Sequence, residues 1–134
     1  MNKTIVKLIE RACRKGVAKA YSYSDYYGNP EHVEKYRVVV EGTEGDIWHL
    51  YHYGTLTATV SFGVETVEYG ESRSDVDSIQ TFIEELTGFT PELHYYPSKD
   101  LFTVVKNGKV VKQFYKLAYH SIELHKFLSA SSCR

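Results

Sequence analysis

The sequence lacks any apolar run close to the roughly 20 residues that a membrane-crossing helix needs. Its longest candidate, Trp48 to Val60, is broken by His, Thr and Gly. A helical membrane protein is therefore not expected. The N-terminus leads from Met1-Asn2-Lys3-Thr4 into Lys7, Glu10, Arg11, Arg14 and Lys15, with no uninterrupted apolar stretch of the kind a secretory signal uses. A soluble, cytoplasmic protein is the expectation.

Cysteine is equally scarce, with Cys13 and Cys133 as the pair available. No CxxC and no Cys/His metal spacing occurs, so a zinc site is not expected. Cys13 reads as a buried thiol on the apolar side of a helix and Cys133 as a tail thiol. Phosphate-cradling glycine motifs, HExxH, GxSxG and an EF-hand loop are all missing.

The six histidines are His32, His49, His52, His94, His120 and His125. Only His49 and His52 are near neighbours, and on a strand that odd spacing sends them to opposite faces. Asp75 and Asp77 fall in the first turn of a helix, where capping and the helix dipole account for them, with Ser74 as N-cap and Ser72 beside it. These readings leave no catalytic residue, metal ligand or cofactor, and a non-enzymatic protein is expected. An enzyme would require a His/carboxylate site that sequence order conceals.

What is present fits one globular domain spanning residues 1–134, since the length of 134 residues and 43% hydrophobic content suit a single core. The net charge of -1 conceals segregation. Residues 1–19 hold six Lys/Arg against one acid, residues 20–97 three against fourteen, and residues 98–134 seven against two. An acidic middle is flanked by basic ends, and each can steer an oppositely charged partner.

Residues 2–15 predict an amphipathic helix, with Ile5, Leu8, Ile9 and Ala12 on the apolar stripe, Lys3, Lys7, Arg11 and Arg14 on another face, and Gly16 as the stop. Val17 to Tyr23 predicts a strand, followed by a long loop through Ser24-Asp25-Tyr26-Tyr27-Gly28-Asn29-Pro30. Tyr36 to Val40 and Ile47 to Tyr53 predict strands around the acidic turn Glu41 to Asp46. Leu56, Ala58, Val60 and Phe62 then alternate with Thr55, Thr57, Thr59 and Ser61 as a strand with one core face.

After a further strand at Val64 to Tyr69, Val76, Ile79, Phe82, Ile83 and Leu86 predict a helix over 74–87 ended by Gly88. Leu93 to Tyr96 is β-like. Asn107-Gly108 between two β-branched runs predicts a hairpin at 101–114. Leu117 to Leu128 is read as a short helix. The fold class is α+β, an antiparallel meander with two main helices packed on it.

Tyrosine stands out, with 12 Tyr against 6 Phe. Tyr offers a large contact area with few torsions to freeze, which favours it at recognition surfaces. The candidate partner-binding set is Tyr26, Tyr27, Glu41, Glu44, Asp46, His49, Tyr51 and Tyr53, with His49, Tyr51 and Tyr53 lining one strand face if Trp48, Leu50 and His52 face the core. An alternative nucleic-acid-binding set is Lys3, Lys7, Arg11 and Arg14 with Lys106, Lys109 and Lys112 of the hairpin. Exposed tyrosines and an edge strand also permit a C2 homodimer.

Over residues 36–86, the segments Trp48-His-Leu-Tyr-His-Tyr-Gly-Thr55 and Tyr69-Gly-Glu-Ser-Arg-Ser-Asp-Val-Asp77 resemble small proteins encoded by bacteriophages and mobile elements of Gram-positive bacteria. The resemblance implies a bacterial cytoplasm and a role as an anti-CRISPR-like inhibitor or regulator. Such a protein binds and blocks a host protein machine, for example a nucleic-acid-binding effector such as a CRISPR nuclease. It implies no activity.

Overall fold

A computed structural model describes residues 2–26, 29–42, 44–70, 72–115 and 122–124. The chain opens with α1 (Lys3–Lys15), capped by Asn2, whose side chain accepts the Ile5 N–H at 3.2 Å, and stopped at Gly16. Gly16 adopts φ +83°, a left-handed conformation that glycine takes without a Cβ clash. There follow β1 (Val17–Tyr26), β2 (Asn29–Glu41), β3 (Ile47–His52), β4 (Thr55–Ser61) and β5 (Val64–Val67). Then come α2 (Arg73–Thr87), β6 (Glu92–Tyr96), β7 (Leu101–Lys106), β8 (Lys109–Tyr115) and β9 (Ile122–Glu123).

The architecture is α+β. β1 to β5 pair antiparallel in chain order and β9 adds to the β5 edge, while β6, β7 and β8 form a second antiparallel sheet. Both helices pack on one face of the large sheet. Ile5, Leu8 and Ala12 of α1 meet Val76, Ile79, Phe82 and Ile83 of α2 over Val38, Leu50, Ala58, Val60 and Val67. Leu93, Phe102 and Val104 of the small sheet join the same cluster, so both sheets share one core.

Several expectations are corrected. The turn-rich segment 24–30 is not a long loop: β1 extends to Tyr26 and pairs with β2 from Asn29 to Val39, with one bulge in the ladder. Ladder hydrogen bonds along ten residues outweigh local turn preference here. Ser72, not Ser74, caps α2, accepting the Asp75 N–H at 3.0 Å. Cys13 is exposed, because the buried stripe of α1 stops short of its side of the helix. Ile122–Glu123 is a strand, not part of a helix; the rest of the helix expected over 117–128 lies outside the described residues, Leu124 excepted.

Three β-bulges break the simple alternation, one at Val111 in the small sheet and two in the large sheet. Leu50 pairs with Ala58 but Tyr51 with Leu56, which leaves Thr57 as an extra residue, buried, with its hydroxyl donating to the Leu50 carbonyl at 3.2 Å. The slip carries Leu56 out of register with Ala58 and opposite Tyr51. Phe62 does not end the strand on its core face. It occupies the β4–β5 turn at φ +51° and is 73% exposed. In β2 the extra residue is Lys35, whose carbonyl accepts the Tyr53 N–H at 2.8 Å.

Tyr36, on the core side of β2, has its phenol pushed above the ordinary 10.0, chiefly by burial, which outweighs hydrogen bonding with Asn2 and Ser78. The folded state therefore holds this proton more tightly than the unfolded chain does. Stability from the group is complete below the unfolded value near pH 10 and is lost as pH rises towards the folded one. Between about pH 9 and pH 11 the urea midpoint of the wild type should fall more steeply than that of Tyr36→Phe. Parallel decline of the two proteins would discard this account.

Candidate functional site

The face of the large sheet opposite the helices is assembled by cross-strand register. Directly opposed residues share a face, so Val39 and His49 lie in one row with Val17, Thr59 and Thr66. Arg37 and Tyr51 lie in the next row with Lys19 and Leu56, and Glu41 joins Ile47, Ser61 and Val64 in a third. All are half-buried or exposed, the pattern of an antiparallel sheet with one face left open.

Several side chains on this face are held in place. The Arg37 guanidinium lies over the Tyr51 ring, 4.3 Å from its centroid. Glu34 is 4.0 Å from Arg37 and 3.6 Å from Lys19. His49 is fixed through both ring nitrogens, Nδ1 at 3.0 Å from Thr59 Oγ1 and Nε2 at 3.0 Å from Glu41 Oε2. Cations and carboxylates alternate, so the centre of the face carries no field of one sign.

Of the expected partner-binding residues, the structure brings together Glu41, His49 and Tyr51, with exposed Glu44 and half-buried Asp46 in the β2–β3 turn at the same end as Glu41. Tyr53 falls away from them. It lies in the β3–β4 turn at φ +49°, its ring tilted against His52 with centroids 4.7 Å apart. Tyr26 closes the backbone of β1, and Tyr27 lies outside the described residues. Arg37, Lys19 and Glu34 belong to the face but were not among the expected residues. Their positions follow from the pairing of Arg37 with Tyr51 and Lys19 and of Glu34 with Tyr21, which no motif announces.

The basic residues divide. Lys3, Lys7, Arg11 and Arg14 are all exposed on α1, which packs on β1, β2 and α2. Lys106, Lys109 and Lys112 belong to the small sheet, with Lys112 5.8 Å above the Phe114 ring.

Sequence reasoning also missed the meeting of His52 and Asp75. His52 Nδ1 is hydrogen-bonded to Asp75 Oδ1 in the core, although 23 residues separate them. The Tyr36 ring stacks on His52 at 4.7 Å with 14° between planes. His52 and Asp75 themselves border a cleft of about 400 Å³, which Tyr53, Thr55, Tyr69, Ser72 and Ser74 also line. An imidazole oriented by a carboxylate is an acid–base element in many enzymes. Here Nε2 is shielded from solvent and has no hydrogen-bond partner among the described residues. In this arrangement the pair serves as a polar tie between β3 and α2. Among the described residues no three His, Cys, Asp or Glu side chains converge as a metal site would require. No helix of the described residues is long and apolar enough to cross a membrane.

No family model, curated protein or solved structure gives a match to this chain.

Proposed function

We propose that the protein acts by binding a partner protein on the open face of its large sheet, with Arg37, Tyr51, His49 and Val39 at the centre and Glu41, Glu44 and Asp46 at the rim. The observation that carries this reading is the fixing of Tyr51 by Arg37 and of His49 by Thr59 and Glu41 before any partner arrives. Ordering side chains at an interface costs about 0.5–1.5 kcal/mol for each one immobilised. A face whose aromatic and basic side chains are already held forgoes much of that cost. Tyr and Arg are also the side chains that dominate interface energetics.

Because Glu34 and Glu41 are answered by Lys19, Arg37 and His49, the central contact suits a surface of mixed polarity better than a groove built for phosphates. The rim carboxylates would set approach rate and salt sensitivity. The resemblance to phage and mobile-element proteins makes a bacterial protein machine, including a nucleic-acid-binding effector, the first partner to try.

The test is affinity capture from a bacterial lysate with the wild type and with Tyr51→Ala, both checked for folding by circular dichroism. A protein retained in stoichiometric amount by the wild type should be lost with Tyr51→Ala, since truncating a central anchor costs about 2 kcal/mol or more, roughly a thirtyfold weakening. Capture that is equal with both proteins, or absent with both, would reject the reading.

A further inference from the structure

We infer that the exposed ridge of α1 is a second binding surface, separate from the open sheet face, and that its ligand is the phosphate backbone of a nucleic acid. Lys3, Lys7, Arg11 and Arg14 recur at steps of four, four and three residues, which on a helix places them in one line. With a rise of 1.5 Å per residue the line runs about 16 Å. It lies away from the buried stripe of Ile5, Leu8 and Ala12, and all four side chains are exposed.

Two ordinary explanations fail. The helix dipole favours cations in the last turn, which accounts for Arg14 and for Lys15 beside it. It disfavours them in the first turn, where Lys3 stands with no acidic residue to offset it. Ion pairing fails as well, since none of the four makes an ion pair among the described residues. Lys3 with Lys7 and Lys7 with Arg11 are like charges one turn apart, which weakens a helix, and Glu10, three residues from Lys7 and four from Arg14, offsets part of that repulsion. The ridge is thus an electrostatic cost to the free protein, and a polyanion laid along it removes that cost.

The flanking residues choose among polyanions. A helix that settles on an anionic membrane carries Trp, Phe or Leu beside its cations to enter the lipid. The exposed neighbours of this ridge are Thr4, Glu10 and Cys13, which provide no such anchor. A linear array of cations flanked by no exposed Trp, Phe or Leu fits a phosphate chain, bound through charge and without reading bases.

The experiment is a salt titration of the intact protein against a fluorescently labelled DNA duplex of about 20 base pairs, alongside phosphatidylserine vesicles. Four phosphate contacts predict a plot of log affinity against log salt with slope roughly -3.6, and the same affinity for two unrelated sequences. The double variant Lys3→Gln, Lys7→Gln should make the slope shallower by about 1.8 and weaken binding at low salt. Its melting temperature should match or exceed that of the wild type, as repulsion is relieved. No binding at about 50 mM salt, or a slope unchanged in the double variant, would overturn the inference. So would binding to the vesicles with none to the duplex.

Discussion

Asp75→Ala should lower the unfolding free energy by about 3–5 kcal/mol, because it strips one partner from a buried, hydrogen-bonded acid–base pair and leaves His52 unanswered in the core. Asp75 and His52 are 5% and 7% exposed, so the imidazole stays largely desolvated when its partner is lost. The backbone consequence is small, since the Asp75 N–H would still reach Ser72 Oγ. The measurement is urea unfolding followed by the fluorescence of Trp48, the single tryptophan, which packs against the core.

Replacing both partners together tests the cause. His52→Leu with Asp75→Leu removes the desolvated groups as a pair and should recover most of the loss or exceed wild-type stability, as apolar replacement of buried ion pairs often does. A single variant that costs less than about 1 kcal/mol, or a double variant as unstable as the single, would show that the pair is not the tie between β3 and α2 described above.

That pair also marks the limit of what the amino-acid order discloses. Local features were legible: the apolar stripes of both helices, the stops at Gly16 and Gly88, and the Asn107-Gly108 turn, whose φ values of +53° and +79° are those a two-residue hairpin requires. The antiparallel meander followed from short connections between strand signals. Opposite orientation of His49 and His52 followed from parity, and the structure places the former on the open face and the latter in the core.

What could not be read depends on pairing between strands. The bulges at Lys35 and Thr57 insert one residue each, and a one-residue slip puts the side chains on the two sides of the bulge out of phase with simple alternation. Leu56 changes face for that reason. Segment 24–30 has turn composition, yet the register of β1 on β2 carries both strands through it. Asp75 has a sufficient local explanation as a first-turn acid, which hides its contact with a histidine on another element. The open face was partly legible, in that His49 and Tyr51 were grouped. The cation over Tyr51 comes from β2 and is visible only once β2 and β3 are paired.

The two phenylalanines that the alternating pattern and the helical stripe both assigned to the core should part company by experiment. Phe82 of α2 is 0% exposed and belongs to the cluster that joins α1, both sheets and α2. Phe82→Ala should cost about 3–5 kcal/mol, the transfer of a buried ring plus the cavity it leaves. For a domain of this size that is a large share of a total stability of about 5–15 kcal/mol. Phe62, at φ +51° in the β4–β5 turn, packs little and occupies a left-handed conformation that Asn tolerates better than Phe. Phe62→Asn should therefore leave stability unchanged or raise it. Urea midpoints of the two variants, measured with equal slopes, decide the matter. A loss at Phe62 comparable to that at Phe82 would mean that the turn ring packs in solution, and that the core extends past the end of β4.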